Sequence, residues 1–246
     1  RHNTAPHRVP GYAIVNISLK EPGKIPGDAS SNQMHIVAEL AAKYSSDELR
    51  VTYQQNLVLP HVAIADLAEV YDKLVAAQLH TANTELITDI IACPGLDYCS
   101  LANARSIPIA QEIAKRFAEP ARAEMIGPLR LNISGCINAC GHHHVGNIGI
   151  LGVDKKGTEH YQITLGGSPK DDGSIGDILG PSFAAEDLPD AIETIIDTYL
   201  QLRSAPSEAF LKAYRRLGKE PFQHALYGSR QKPARRTEQQ LEAQHV

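Results

Sequence analysis

The chain reads as an α+β protein, and three features of its sequence carry that expectation. Runs at 12–19 and 48–59 alternate in the period of two that marks strands. Apolar stripes with helical spacing recur near 31–44, 63–78 and 188–203. Two short apolar runs lead directly into cysteines, at 93 and at 136. The 246 residues suffice for one large domain or two small ones. The pattern divides them into a compact unit over 1–82, a second over 83–228 and a tail over 229–246. The tail lacks aromatic residues and is expected to be disordered.

Composition narrows the function classes. Apolar residues make up 43% and charged residues 21%, ordinary values for an ordered globular chain. A net charge of −4 argues against nucleic acid as a partner. No run reaches the roughly 18 apolar residues of a membrane helix. The four cysteines are too few for a disulfide-dense secreted scaffold. Residues 1–5 lack the apolar core of a signal peptide, so a cytoplasmic location is expected. Arg stands at position 1 instead of Met, which suggests a piece of a longer protein.

In order along the chain, 12–19 predicts a strand with Ala13, Val15, Ile17 and Leu19 on one face. The Pro- and Gly-rich stretch 21–28 is turn material. Ser30 stands three residues before Gln33, a capping-box spacing, so a helix should run to Tyr44 and bury Ile36, Val37, Leu40 and Tyr44. A strand over 48–59 would place Arg50, Thr52, Gln54 and Asn56 on one polar side, with Val51, Tyr53, Gln55 and Leu57 opposite and Pro60 ending it. A helix over 63–78 would bury Leu67, Val70, Tyr71 and Leu74. The first unit therefore reads β-α-β-α.

In the second unit, 86–92 predicts a buried strand. A helix is expected over 100–118, bent or delayed by Pro108. Strands follow over 129–134, 145–153 and 161–165, the last two separated by a turn at 155–157 and closed by Gly166 and Gly167. Asp187 is placed to cap a helix over 188–203, whose face is Leu188, Ile192, Ile195, Tyr199 and Leu202. Shorter helical stretches are expected at 207–216 and 219–227. No 20–50-residue repeat is present.

The cysteines carry the chemistry. Cys93 and Cys99 enclose five residues, Cys136 and Cys140 enclose three, and each pair follows a predicted strand. Four thiolates on two short loops can surround one metal centre. The spacings are wider than zinc-ribbon pairs and differ from the common ferredoxin patterns, yet a cubane held by four thiolates is chemically natural. Other readings stay open on spacing alone. These are four inert buried thiols, two disulfides, or a zinc ion on Cys136, Cys140 and one of His142, His143 and His144.

The match extends beyond the cysteines. Ala92-Cys93-Pro94-Gly95, Gly135-Cys136-x-Asn138-x-Cys140-Gly141, residues 143–149 and residues 162–167 together resemble the site of the sirohaem-dependent nitrite and sulfite reductases. Thr52-x-x-Gln55-Asn56-Leu57 resembles that family's ferredoxin-like half-domain. The likeness covers roughly residues 10–228. It implies a ferredoxin-like half-domain followed by an α+β cluster-binding domain.

It also implies that Cys93, Cys99, Cys136 and Cys140 ligate one 4Fe–4S cluster, with Cys140 bridging to the iron of a sirohaem. Sulfite or nitrite would be reduced there by six electrons, to sulfide or ammonia, with ferredoxin or an NADPH-dependent flavoprotein as electron donor. Asn138 would orient the loop or touch the macrocycle. With that cofactor, the polar row of Arg50, Thr52, Gln54 and Asn56 would meet sirohaem carboxylates, unless it is simply an exposed sheet face. The resemblance also favours Gln55 and Asn56, a bulge near Gln54 reconciling the two faces. His142 and His143 are candidate proton donors. Lys155 and Lys156 read as a solvated turn.

Two departures stand out. Ile137 occupies a position where the family usually has Pro, which loosens the loop. The family's enzymes pair two such halves around the sirohaem, and this chain resembles only the second. The Arg and Lys residues that hold the anion come from the first half, so a missing N-terminal half or a second chain is the expected partner. The competing reading is a non-catalytic iron–sulfur electron-transfer or assembly module, and a structural zinc protein is a more distant one.

Overall fold

The computed structural model describes residues 2–228. The expected mixture of helices and sheets is present, in two layered units with separate apolar cores. The tail over 229–246 lies outside the described residues.

The first unit is a four-stranded antiparallel sheet with two helices packed on one face. Its strands are β1 (Thr4–Pro6), β2 (Tyr12–Ile17), β3 (Arg50–Val51) and β4 (Leu57–Ala63), in the spatial order β1-β2-β4-β3. The helices are α1 (Ser31–Tyr44) and α2 (Leu67–Ala76). Strand alternation works as expected in β2, which buries Ala13, Val15 and Ile17. The capping box also forms. The Gln33 amide donates to Ser30 Oγ at 3.2 Å, and Gln33 Oε1 accepts from the Ser30 amide at 3.0 Å. Helix α1 buries Val37, Leu40 and Tyr44, whereas Ile36 is half-buried.

The strand expected over 48–59 is a tight hairpin. The chain reverses over 52–56, where the Thr52 amide donates to the Asn56 carbonyl at 2.9 Å and the Gln55 amide to the Thr52 carbonyl at 3.0 Å. Gln55 supplies the left-handed residue, at φ +60°. The alternating pattern thus ran on through a turn that contains neither Gly nor Pro. No single polar face of Arg50, Thr52, Gln54 and Asn56 exists, and a bulge at Gln54 is replaced by the reversal.

Nor does Pro60 end a strand. Ala13 pairs with Val62 and Val15 with Leu59, so Ile14 faces both Pro60 and His61. Proline's missing N–H falls at this bulge, one of the few places a sheet accepts it. The helix expected over 63–78 is a 3₁₀ turn (Ile64–Asp66) followed by α2. Its Tyr71 is exposed, while Val70 and Leu74 are buried.

The second unit has a six-stranded mixed sheet. It comprises β5 (Ile91–Ala92), β6 (Leu131–Ser134), β7 (Ile148–Lys155), β8 (Thr158–Leu165), β9 (Asp177–Ile178) and β10 (Phe183–Ala184). The order is β10-β8-β7-β6-β5, with β9 also pairing β8. β5, β6 and β7 are mutually parallel, and the remaining pairs are antiparallel. Lys156 and Gly157, both at positive φ, close the two-residue β7–β8 turn.

Only the end of the run at 86–92 is strand, because Thr88 and Asp89 belong to a turn and a buried polar cluster. Pro108 sets the start of α3 (Ile107–Arg116) instead of kinking a longer helix. A helix not foreseen, α4 (Pro120–Ile126), follows. The chain ends in α5 (Leu188–Leu202), α6 (Phe210–Leu217) and α7 (Glu220–Tyr227), with α5 packed against α3 and α7. Leu202 is exposed, unlike the rest of the predicted α5 face, and Asp187 makes no side-chain capping bond to the first turn. No helix among the described residues is long and apolar enough to cross a membrane.

Candidate cluster site

Both cysteine pairs stand at one edge of the second sheet, because β5 and β6 are adjacent and parallel and each ends immediately before its cysteine loop. The Cys93 amide extends the ladder to the Ile133 carbonyl at 3.1 Å. A 3₁₀ turn (Gly95–Asp97) then brings round Cys99, whose amide donates to the Gly95 carbonyl at 2.9 Å. On the second loop, left-handed Ala139 and His142 (φ +57° and +54°) wrap the chain around Cys140.

The two loops are clasped together. The Gly135 amide donates to Cys93 Sγ at 3.1 Å. The Asn103 and Ala104 amides donate to the Gly135 carbonyl at 2.9 and 3.1 Å. A Cβ on Gly135 would lie 2.6 Å from the Ala104 carbonyl oxygen, and one on Gly141 only 1.9 Å from that of Ile133. Backbone therefore packs on backbone, which only glycine permits at these two positions.

All four cysteines are free, so the disulfide reading has no support in this geometry. Cys93 and Cys136 are buried, Cys99 is half-buried and Cys140 is exposed. Tyr98, Leu101 and Ile137, on or beside these loops, are exposed at 75%, 71% and 81%. Among the described residues, no group of three His, Cys, Asp or Glu converges on a point suited to one metal ion. A tetrahedral zinc set is thus not formed. A cubane's thiolates bind separate irons at its corners, a wider arrangement that suits two loops. The donor set, four sulfurs with an N–H already aimed at one of them, fits such a cluster.

The remaining predicted site residues separate. Arg50 bonds Glu48 Oε1 at 2.5 Å, and Thr52 bridges the hairpin turn through its hydroxyl. The Gln54 carbonyl accepts from Lys20 Nζ at 2.7 Å. Asn56 is buried, accepting from the Leu19 amide at 3.1 Å and donating to Asp89 Oδ1 at 2.9 Å. Gln55 approaches the site most closely, but through protein. Its Nε2 donates to the Ala92 carbonyl at 2.7 Å and its Oε1 accepts from the Ala92 amide at 3.1 Å. Its amide thus acts as a strand partner for the residue before Cys93, and is not free for a carboxylate.

Asn138 is exposed between Cys136 and Cys140, and His142 is exposed beyond them. His143 is buried with no partner on Nδ1. Burial, aided by His144, pushes its pKa down to about 4. It is neutral at physiological pH and so is not a cationic proton donor there.

Sequence reasoning missed two groups. Ser106 Oγ lies 3.4 Å from Cys93 Sγ. Lys20 and Asp89 form a buried ion pair at 3.3 Å beneath the hairpin. The signal for the second was legible, since a charged residue inside an apolar run must find a partner. Burial draws the Lys20 ammonium below its usual pKa, and the Asp89 carboxylate opposes that shift.

Residues 84–230 match the nitrite and sulphite reductase 4Fe-4S domain, and residues 14–77 match the nitrite/sulfite reductase ferredoxin-like half domain. The chain is 29% identical over 178 residues to the ferredoxin–nitrite reductase of Synechococcus elongatus, covering 69% of this chain and 34% of that one. It is 31% identical over 189 residues to sulfite reductase (ferredoxin) 2 of Mycolicibacterium paratuberculosis, covering 73% and 34%. The structure of Mycobacterium tuberculosis NirA superposes with a TM-score of 0.71 at 25% identity, over 89% of this chain and 43% of that one. The chain thus spans about a third of the length of these curated relatives. With more than half its length matched by the cluster domain and the cysteine loops clasped at one sheet edge, this chain belongs to the nitrite and sulphite reductase family, whose cofactors are a 4Fe–4S cluster and sirohaem.

Proposed function

We propose that this chain is the cofactor-bearing half of an assimilatory-type nitrite or sulfite reductase, with 1–82 as the ferredoxin-like half-domain and 83–228 as the cluster and sirohaem domain. The observation that carries this reading is the clasp between the cysteine loops, in which the amide of Gly135, the residue before Cys136, donates to Cys93 Sγ. When bound, the coupled cofactors supply the six-electron chemistry that takes sulfite to sulfide or nitrite to ammonia.

The chain's own residues hold and shield. Cys93 and Cys136, both buried, would hold the cluster together with half-buried Cys99, and Cys140, the exposed member, would be the ligand within reach of sirohaem. Tyr98, Leu101 and Ile137 add exposed apolar surface on or beside the two loops, which excludes water once covered. The cations that bind the substrate anion are assigned to a partner half, and electrons to ferredoxin, the donor in the names of the matched relatives.

The test is an anaerobic absorption spectrum of protein made with sirohaem supply, with iron and acid-labile sulfide assayed on the same sample. Sirohaem bands with about four irons beyond the haem iron are expected. Sulfite or nitrite should shift those bands once the partner half is present. A cluster whose spectrum neither anion moves, even with that half, indicates the non-catalytic electron-transfer module. Zinc without labile sulfide overturns both.

A further inference from the structure

We propose that Ser106 tunes the reduction potential of the cluster by donating a hydrogen bond to the Cys93 thiolate. The inference rests on the reading above that the four cysteines hold a 4Fe–4S cluster, and it goes beyond the ligand set to a residue that acts through one ligand.

Ser106 stands at the N-cap of α3, where a serine hydroxyl ordinarily accepts from an amide of the first turn. Here it makes no such bond. Its backbone is already helical, at φ −96° and ψ −36°, and the side chain turns the other way. The hydroxyl oxygen lies 3.4 Å from Cys93 Sγ. The residue is fully buried, and Cβ atoms on Gly95 or Gly135 would lie 3.1 Å from that oxygen. The hydroxyl is therefore enclosed by the backbone of the two cysteine loops.

An iron-bound thiolate carries no proton, so the serine O–H must be the donor. It joins the Gly135 N–H, 3.1 Å from the same sulfur. The N-terminal end of α3 adds partial positive charge of the same sense. Hydrogen bonds to ligand sulfur draw electron density from the cluster and favour its more negative, reduced form, which raises the potential. The Gly135 donor is backbone and survives any substitution. Among the described residues, Ser106 is the one side-chain hydroxyl within hydrogen-bonding distance of a cysteine sulfur.

The experiment is an anaerobic potentiometric titration of the cofactor-loaded protein, with the reduced cluster followed by electron paramagnetic resonance. Ser106→Ala and Ser106→Gly are compared with wild type. The control is Ser134→Ala, whose hydroxyl accepts from the Gly141 amide and bonds no sulfur. Iron and acid-labile sulfide are counted in each sample. A shift to lower potential in the Ser106 variants, at unchanged iron content and absent from Ser134→Ala, is the expected result. An unchanged potential in either loaded Ser106 variant overturns the proposal and leaves the cluster assignment standing. Loss of the cluster from both Ser106 variants but not from Ser134→Ala overturns it too, since Ser106 would then hold the site instead of tuning it. A wild-type protein that binds no cluster overturns the underlying reading itself.

Discussion

Both ends of the Gln55 amide engage Ala92, one residue before the first cysteine. Ala92 is buried, so removing the amide leaves a backbone donor and acceptor without water to replace them. Gln55→Ala should cost about 1–3 kcal/mol, read from urea unfolding. Gln55→Glu, which keeps the acceptor but turns a carboxylate oxygen toward the Ala92 carbonyl, should cost at least as much. A loss below 0.5 kcal/mol, on the order of the experimental uncertainty, would show that the clamp contributes nothing. His143 makes a pH-dependent contribution. Its folded pKa is depressed to about 4, below the unfolded value near 6.5, so between those values the unfolded chain binds more protons. Stability should be fullest above pH 6.5 and fall as the pH drops toward 4. His143→Phe should flatten that part of the profile, and an identical slope in both proteins would remove His143 as its source.

At the scale of elements, the closeness of the loops depends on glycine. A Cβ on Gly141 would overlap the Ile133 carbonyl oxygen, so the β6 loop cannot fold back with any other residue there. Gly141→Ala should cost about 3 kcal/mol or more and release iron to a chelator faster than wild type does. Gly157→Ala should cost only about 1 kcal/mol, from its positive φ in open space. Equal losses for the two would refute the packing explanation.

The same scale explains what could be read in advance. The α1 capping box, the β2 face and the α5 stripe each rest on local chemistry and were legible. The 52–56 hairpin was not, because its left-handed residue is Gln55 and its alternation imitates one long strand. The destination of Gln55 and Asn56 depended on that fold-back, which brings them to Ala92 and Asp89, more than 30 residues away in sequence. The family likeness located the cysteine loops, but nothing in a Ser-Ile-Pro helix start reveals that Ser106 turns toward a sulfur.

Across the whole molecule, the two units are joined by a buried polar junction. Lys20 meets Asp89, Asp89 accepts from Asn56 and the Glu85 amide, and Asn83 ties Ser18 to Thr88. Asp89→Ala would leave the Lys20 ammonium buried without its counter-charge, a loss of about 3–5 kcal/mol. The double variant Lys20→Met/Asp89→Leu should recover much of it, since the pair's desolvation is then avoided. Urea unfolding of both variants decides this. If the double variant is no more stable than Asp89→Ala, the penalty does not come from the stranded charge.

The parallel pairing of β5 and β6 has a consequence for how such a chain can diverge. Two parallel neighbours release their loops on the same side, whatever path the chain takes between them. Here that path runs through α3 and α4. Insertions in the stretch between those helices should therefore leave the cysteines in register, whereas a single residue added inside either loop should not. Freedom of length lies in the return journey, and none is left at the two points of arrival.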